Sequence, residues 1–236
     1  MNKPSFVEDQ IYHIYNRGVE KRVIFTSDKD RLRFIHYLFD FNDVNPSINN
    51  YYYLNKYSEV GPHYIKKPRK LLVELSAFCL MPNHFHLLLR QKVENGIVKF
   101  MQKIGTGYAM YFNKKYERVG ALFQGKFKAV LVSGDEYFKY LPYYIHLNPL
   151  DLITPEWREY KIRDYKKAVN FLDQYRWSSY LDYTGRKNFP SITQRRFLTE
   201  FVGQSDKYRR DTEYWLRDNA ENWKKLKDIT SEVGPR

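Results

Sequence analysis

The 236-residue chain is 43% hydrophobic and 18% aromatic, and this composition excludes an intrinsically disordered protein. No apolar run is long enough to span a bilayer and the first residues show no signal-peptide pattern, so we expect a cytoplasmic protein with no membrane partner. Its 40 basic and 27 acidic residues leave a net charge of +13, which favours a polyanionic partner, and the many aromatic rings, which can stack on unpaired bases, favour nucleic acid.

The first elements of the chain are a predicted strand and a predicted helix. Residues 11–15 are rich in β-formers, and apolar side chains then recur at helical spacing up to Phe39, after a capping box of Ser27 and Asp30. From residue 41 to 70 the pattern dissolves into Asn, Pro, Ser, Tyr and Lys, which predicts an insertion loop. A nucleic-acid contact and a solvated insertion fit this loop equally well.

A second strand is predicted at residues 71–80, and a Pro-Asn turn joins it to a third strand within residues 81–90. Apolar and polar side chains alternate along this third strand, as in a strand with one buried face. Phe85 would then face the core, and His84 and His86 would project together from the opposite, open face. Two imidazoles about 7 Å apart on one strand can bind a single cation, although two surface histidines give the same pattern.

A long amphipathic helix, a fourth strand at 122–132 with basic residues on one face, and a helix that Pro149 ends complete the regular part of the chain. This order predicts an α+β fold of the ferredoxin-like or RRM-like class, with a four-stranded antiparallel sheet, helices on one face and the other face free for a ligand. We assign residues 1–150 to this domain, and we expect residues 151–236 to form a mainly helical C-terminal extension.

The last helix of the predicted domain carries Tyr144 and Asn148 on one face, because they are four residues apart, whereas His146 points away from them. A phenol and a carboxamide above a histidine–metal site can cleave a phosphodiester. Tyr144 would attack phosphorus and form a phosphotyrosine, and the amide oxygen of Asn148 would complete the shell of Mg²⁺ or Mn²⁺. The neighbouring phenol of Tyr143 and a purely structural Tyr144 are the alternatives.

The segment Met-Pro-Asn-His-Phe-His at 81–86, followed by Tyr-Ile-His-Leu-Asn-Pro at 144–149, resembles the single-tyrosine HUH transposases, and among them the REP-associated tyrosine transposases. Supporting stretches lie at residues 12–18, 120–128 and 175–180, so the resemblance spans roughly residues 8 to 182. Two features depart from it: Pro142 lies inside the catalytic helix, where it should cause a kink, and Leu-Asp follows the Asn-Pro where relatives often have basic residues.

The resemblance implies that His84 and His86 hold a divalent metal, with Asn148 as third ligand, and that Tyr144 nicks single-stranded DNA to leave a 5′-phosphotyrosine and a 3′-hydroxyl. It also implies recognition of a short REP-like hairpin of folded single strand. We also expect four polar side chains to contact DNA, although simple exposure to solvent would explain them equally well. These are Arg17, Gln124, Lys126 and Lys128.

The leading hypothesis is therefore a metal-dependent, single-stranded DNA transposase that nicks at hairpin-flanked sites and rejoins strands, as a monomer or a homodimer. The alternative is a domesticated relative that binds hairpin DNA or RNA without cleaving it, which would have no need of the intact histidines and tyrosine. A metal-dependent hydrolase without a covalent step is disfavoured, because paired carboxylates are scarce around the motif.

Overall fold

A computed structural model describes residues 4–45, 69–159 and 161–218 of the chain. Its centre is a four-stranded sheet in the order β2-β3-β1-β4, in which every neighbouring pair is antiparallel. This order confirms the predicted ferredoxin-like arrangement, with the first and third strands in the middle of the sheet. The strands are Ile11–Arg17 (β1), Val73–Met81 (β2), His84–Gln91 (β3) and Lys128–Leu131 (β4).

Seven α-helices accompany the sheet in the described residues. They are Asp28–Asp40 (α1), Gly96–Lys115 (α2), Asp135–Leu147 (α3), Tyr165–Gln174 (α4), Tyr180–Tyr183 (α5), Arg195–Val202 (α6) and Ser205–Asp218 (α7). The mainly helical character of the C-terminal extension is thus confirmed. No helix of the described residues combines the length and apolar character that a bilayer-spanning segment needs.

The helices α1 and α2 cover one face of the sheet, as the order of elements predicts, and Phe85 faces them, as the alternation in β3 predicts. The ring of Phe85 on β3 lies 4.9 Å from that of Phe34 on α1, which in turn lies 5.1 Å from the ring of Tyr108 on α2. All three side chains are almost completely buried. Because strand side chains alternate between faces, His84 and His86 lie on the other side of the sheet.

That second face is not open, contrary to our expectation, because helix α3 packs across it against β2 and β3. Leu141 and Ile145 of α3 are fully buried, and the exposed fractions of His84 and His86 are only 6% and 0%. An amphipathic helix must bury its apolar side. Helix α3 does so against the sheet face that carries the histidines, which turns an expected surface into an interior site.

The C-terminal extension closes the outer edge of β2. Leu80 donates its backbone N–H to the carbonyl of Trp177 at 2.8 Å, and the N–H of Ser179 donates to the carbonyl of Phe78 at 3.0 Å. Farther along, Gln194 donates to the carbonyl of Leu75 at 2.9 Å. An open strand edge invites pairing with other chains, so these bonds both anchor the extension and protect the sheet.

The fourth strand is shorter than expected and begins at Lys128, because residues 124–126 form a bend around Gly125, which has a φ of +134°, and Phe123 makes only an isolated bridge with Gly18. Helix α3 continues from Asp135 to Leu147 with Pro142 inside it, and Asn148 opens a separate 3₁₀ turn, Asn148–Leu152. Most of the predicted 41–70 loop lies outside the described residues.

Candidate active site

The orientation of the His84 ring is determined by the residue before it. The Nδ1 atom of His84 lies 2.6 Å from the side-chain oxygen of Asn83, whose amide nitrogen donates to the carbonyl of Lys21 at 3.1 Å. Since a carbonyl oxygen can only accept, Nδ1 of His84 carries the proton and donates. Nε2 of His84 therefore carries a lone pair.

The His86 ring is oriented by a third imidazole, from the neighbouring strand. Nδ1 of His86 lies 3.0 Å from Nε2 of His13, and the two rings stack with centroids 5.1 Å apart. In the tautomer that suits metal binding, Nδ1 of His86 donates to His13 and Nε2 of His86 keeps its lone pair. A hydrogen bond of this kind to the second ring nitrogen is the usual support of a metal-ligating histidine.

The two Nε2 atoms fit a divalent cation. Both are buried and neither has a hydrogen-bond partner among the described residues, while the ring centroids lie 5.0 Å apart. Burial, together with the positive charges of Arg17 and Arg158, lowers the pKa of His84 to about 3, and burial also lowers the pKa of His86. Both rings are therefore neutral at physiological pH, as metal ligands must be.

The histidine pair does not by itself complete a coordination shell. The described residues contain no cluster of three or more His, Cys, Asp or Glu side chains that could hold a metal. The remaining ligands would have to be an amide oxygen, water or a phosphate oxygen, which are the hard ligands that Mg²⁺ and Mn²⁺ prefer.

Tyr144 lies directly over this site. Its ring stands edge-on to His86 and to His13, with centroid distances of 5.9 and 6.1 Å. Only 1% of the tyrosine is exposed, and this burial raises the pKa of the phenol, whereas the nearby guanidinium of Arg158 lowers it. The structure thus brings the phenol and the imidazole pair together within one chain.

Asn148 is buried beside Tyr144, as the helical spacing predicts. Its side-chain nitrogen donates to the carbonyl of Tyr144 at 2.7 Å, and its side-chain oxygen accepts from Nη2 of Arg158 at 3.0 Å. A carbonyl oxygen has two lone pairs, so one remains for a metal or a water molecule. His146 faces away from the site, also as predicted, and bonds to Tyr208 and Ser179.

Arg158 is the site residue that sequence reasoning missed. It lies in the 3₁₀ segment Pro155–Glu159, and its Nη1 is 3.5 Å from the hydroxyl of Tyr144. Asp151 accepts from Nε at 2.8 Å and from Nη2 at 2.7 Å, and the Trp157 ring lies 4.7 Å below the guanidinium. The one available signal was Asp151, an acidic residue two positions after the Asn-Pro, in a stretch where relatives often have basic residues.

The expected DNA contacts lie towards the β1–β4 side of the site. Arg17 is opposite His84 in the strand register, and the ammonium of Lys128 lies 5.9 Å from the ring of Tyr15, which stacks on His86. Two of the four expected residues therefore share the face of the histidines. The other two, Gln124 and Lys126, are exposed in the bends before β4, where the N–H of Gln124 donates to the carbonyl of Arg17 at 2.8 Å.

Residues 52–148 match the family described as "Transposase IS200 like". Over this segment the chain is similar to the IS200-like transposases. The family segment contains both histidines of β3, Tyr144 and Asn148, but it excludes His13 and Arg17, which precede it, and Arg158, which follows it.

Among solved structures, the chain is similar to one described as the REP-associated tyrosine transposase bound to a REP hairpin. The two are 10% identical with a TM-score of 0.48, over 81% of this chain and 89% of that chain. No match is found among curated proteins.

Proposed function

We propose that this protein is an IS200-like transposase, a metal-dependent single-stranded DNA endonuclease and strand-transfer enzyme with Tyr144 as the nucleophile. One observation carries the proposal. The phenol of Tyr144 packs against His86, and the Nε2 atoms of His84 and His86 beside it are buried without a partner among the described residues. A binding protein has no use for two unsatisfied, neutral imidazoles next to a phenol, because each costs free energy on burial.

The reaction follows from what each group supplies. The oxygen of Tyr144 attacks phosphorus while the bond from phosphorus to the 3′ oxygen breaks. The product is a 5′-phosphotyrosine, the leaving 3′ oxygen takes up a proton, and the phenol proton passes to solvent. Held by His84 and His86, with the amide oxygen of Asn148, Mg²⁺ or Mn²⁺ would supply Lewis-acid stabilisation of charge on the phosphate. The phosphotyrosine conserves the ester, so a different 3′-hydroxyl can reverse the step and join two strands.

The proposed substrate is single-stranded DNA next to a REP-like hairpin. The motif resemblance supports the hairpin, and the net charge of +13, together with Arg17 and Lys128 on the histidine face, supports a polyanionic strand. All the side chains of the proposed site come from one chain. Each protomer would therefore carry its own site, whether the protein acts as a monomer or as a homodimer.

A specific observation favours the second candidate, a domesticated protein that binds hairpin DNA or RNA without cutting it. Tyr144 is only 1% exposed, and a nucleophile must reach its phosphate. Under the first proposal, the phenol has to become accessible to the phosphate when the substrate binds. Under the second, the phenol stays buried.

One experiment separates the two. The protein is incubated with end-labelled single strands that carry a hairpin, in Mg²⁺ or Mn²⁺, and the products are separated in SDS. A transposase gives an SDS-resistant adduct on the fragment 3′ of the cut, together with a second fragment whose 3′-hydroxyl a polymerase can extend. Tight hairpin binding without adduct or nicking in either metal would establish the non-cleaving alternative.

A further inference from the structure

We propose that Arg158 binds the scissile phosphate directly, with one Nη1 hydrogen on the non-bridging oxygen next to the attacking phenol. This inference rests on the proposed function and deepens it, because it adds a substrate-binding residue from outside the family segment. Three of the five N–H donors of the guanidinium anchor it to Asp151 and Asn148, and the two on Nη1 point away from that anchor.

Three of these donors hold the guanidinium in place. The N–H of Nε and one hydrogen of Nη2 bind the two oxygens of Asp151, and the other hydrogen of Nη2 binds the side-chain oxygen of Asn148. The Trp157 ring covers one face of the group and donates its own N–H to Asp151 at 2.7 Å. A guanidinium held along one edge and one face has little rotational freedom left to lose on binding a ligand.

The two hydrogens on Nη1 have no part in this anchoring. One faces the hydroxyl of Tyr144 across 3.5 Å, and the other has no partner among the described residues. Asp151 neutralises the opposite edge, so the donor edge beside the phenol is the one that can still accept an anion. A charge-assisted bond from arginine to a phosphate oxygen is among the strong hydrogen bonds of proteins.

The exposure of Arg158 to solvent also supports a role in binding the phosphate. The side chain of Arg158 is 26% exposed, whereas Tyr144 is 1% exposed, so Arg158 is the more accessible of the two residues. A phosphate bound at Nη1 would lie next to the phenol oxygen, which is 3.5 Å from that nitrogen. Arg158 would therefore both capture the phosphate and hold it in line for attack.

The test compares Arg158→Gln with a matched control, Arg209→Gln. Arg209 also donates two hydrogen bonds to an aspartate, Asp173, at 3.1 and 2.8 Å, but neither residue is part of the proposed site. Each protein is given a strand with a normal scissile phosphate and a strand with a neutral methylphosphonate there, as separated diastereomers. We expect Arg158→Gln to slow adduct formation about 100-fold on the phosphodiester, as for loss of one donor to a developing oxyanion.

The methylphosphonate reveals the cause of this loss. If Arg158 contacts the phosphate oxygen, wild type and Arg158→Gln should react at nearly equal rates with the diastereomer that lacks that oxygen. Arg209→Gln should match wild type on every substrate. Equal slowing of Arg158→Gln on all substrates would make the residue purely structural, and an unchanged rate on the phosphodiester would also overturn the proposal. Arg158→Lys, which keeps the charge without the fork, replaces the glutamine variant if that protein does not fold.

A binding measurement distinguishes failure of this inference from failure of the proposed function. In a Tyr144→Phe background, affinity is measured for a set of hairpin strands, each with one methylphosphonate at a different linkage. The methylphosphonate at one of these linkages should weaken binding on the order of 10-fold when Arg158 is present, and it should have no effect on binding by the Arg158→Gln protein. If no linkage behaves in this way, Arg158 does not bind a phosphate, whether or not the enzyme cleaves. If one does and Tyr144→Phe still nicks, only the assignment of the nucleophile fails.

Discussion

His13 on β1 and His86 on β3, 73 residues apart in the chain, share a hydrogen bond of 3.0 Å between buried, stacked rings. The bond occupies Nδ1 of His86 and leaves Nε2 of the same ring without a partner among the described residues. His13 therefore orients a proposed metal ligand, although it lies outside the matched family segment.

Replacement of His13 should weaken metal binding without removing a ligand. We expect His13→Ala to raise the Kd for Mn²⁺ by about 10- to 100-fold, as for other outer-shell partners, measured by calorimetry or by the EPR signal of free Mn²⁺. His36→Ala, which removes another buried histidine on α1, serves as the control. An unchanged Kd in the His13 variant would show that His86 needs no such support.

Metal binding and adduct formation should both require His84 and His86. His84→Ala and His86→Ala should each abolish detectable Mn²⁺ binding and reduce adduct formation to background, because each removes a proposed ligand. Metal binding is read by calorimetry, independently of the DNA reaction. Undiminished cleavage in both variants would contradict the metal assignment.

The neighbouring phenols allow a matched test of the nucleophile. Tyr144→Phe should eliminate the covalent adduct while affinity for the hairpin strand changes less than about 3-fold, because only the attacking oxygen is lost. Tyr143→Phe should keep the adduct, since that hydroxyl instead donates to Asp211 at 3.1 Å. Adduct formation by the Tyr144 variant at the parental rate would exclude this residue as the nucleophile.

The salt dependence of binding should reveal contacts with phosphates. Affinity for single-stranded DNA should fall steeply with added salt, and Lys128→Ala should reduce the log–log slope by about 0.7, the value for one lost phosphate contact. Lys166→Ala, an exposed lysine on α4, is the control. A flat salt response of the wild-type protein would count against phosphate-dominated binding.

His146 should make stability depend on pH. Burial between Tyr208 and Ser179 lowers its pKa to about 3, whereas the unfolded chain titrates near 6.5. Between these values the unfolded state binds the extra proton, so acid destabilises the fold. The free energy of unfolding in urea should therefore fall more steeply from pH 6 to pH 4 in wild type than in His146→Gln, by up to about 1.4 kcal/mol per pH unit. Equal slopes would show that this histidine does not carry the effect.

The sequence predicted the fold because its signals are local. The order of strands and helices follows from periodicity within each segment, and the Pro-Asn turn joins β2 to β3 as predicted. The prediction was least accurate at the fourth strand, where alternation continues through residues 122–127 although the backbone bends at Gly125. Alternation reports which side chains share a face, but not where regular pairing stops: Leu122 and Gln124 still bond to Val19 and Arg17, and the regular ladder begins only at Lys128.

By itself the sequence determined that His84 and His86 share one face of a strand, and that Tyr144 and Asn148 share one face of a helix, because both follow from the geometry of a single element. Only the tertiary structure decided that α3 covers the histidine face, that His13 supports His86, and that Asp151 presents Arg158 to the phenol of Tyr144. Those relationships join elements whose packing depends on the whole core, and no local pattern encodes which surfaces meet.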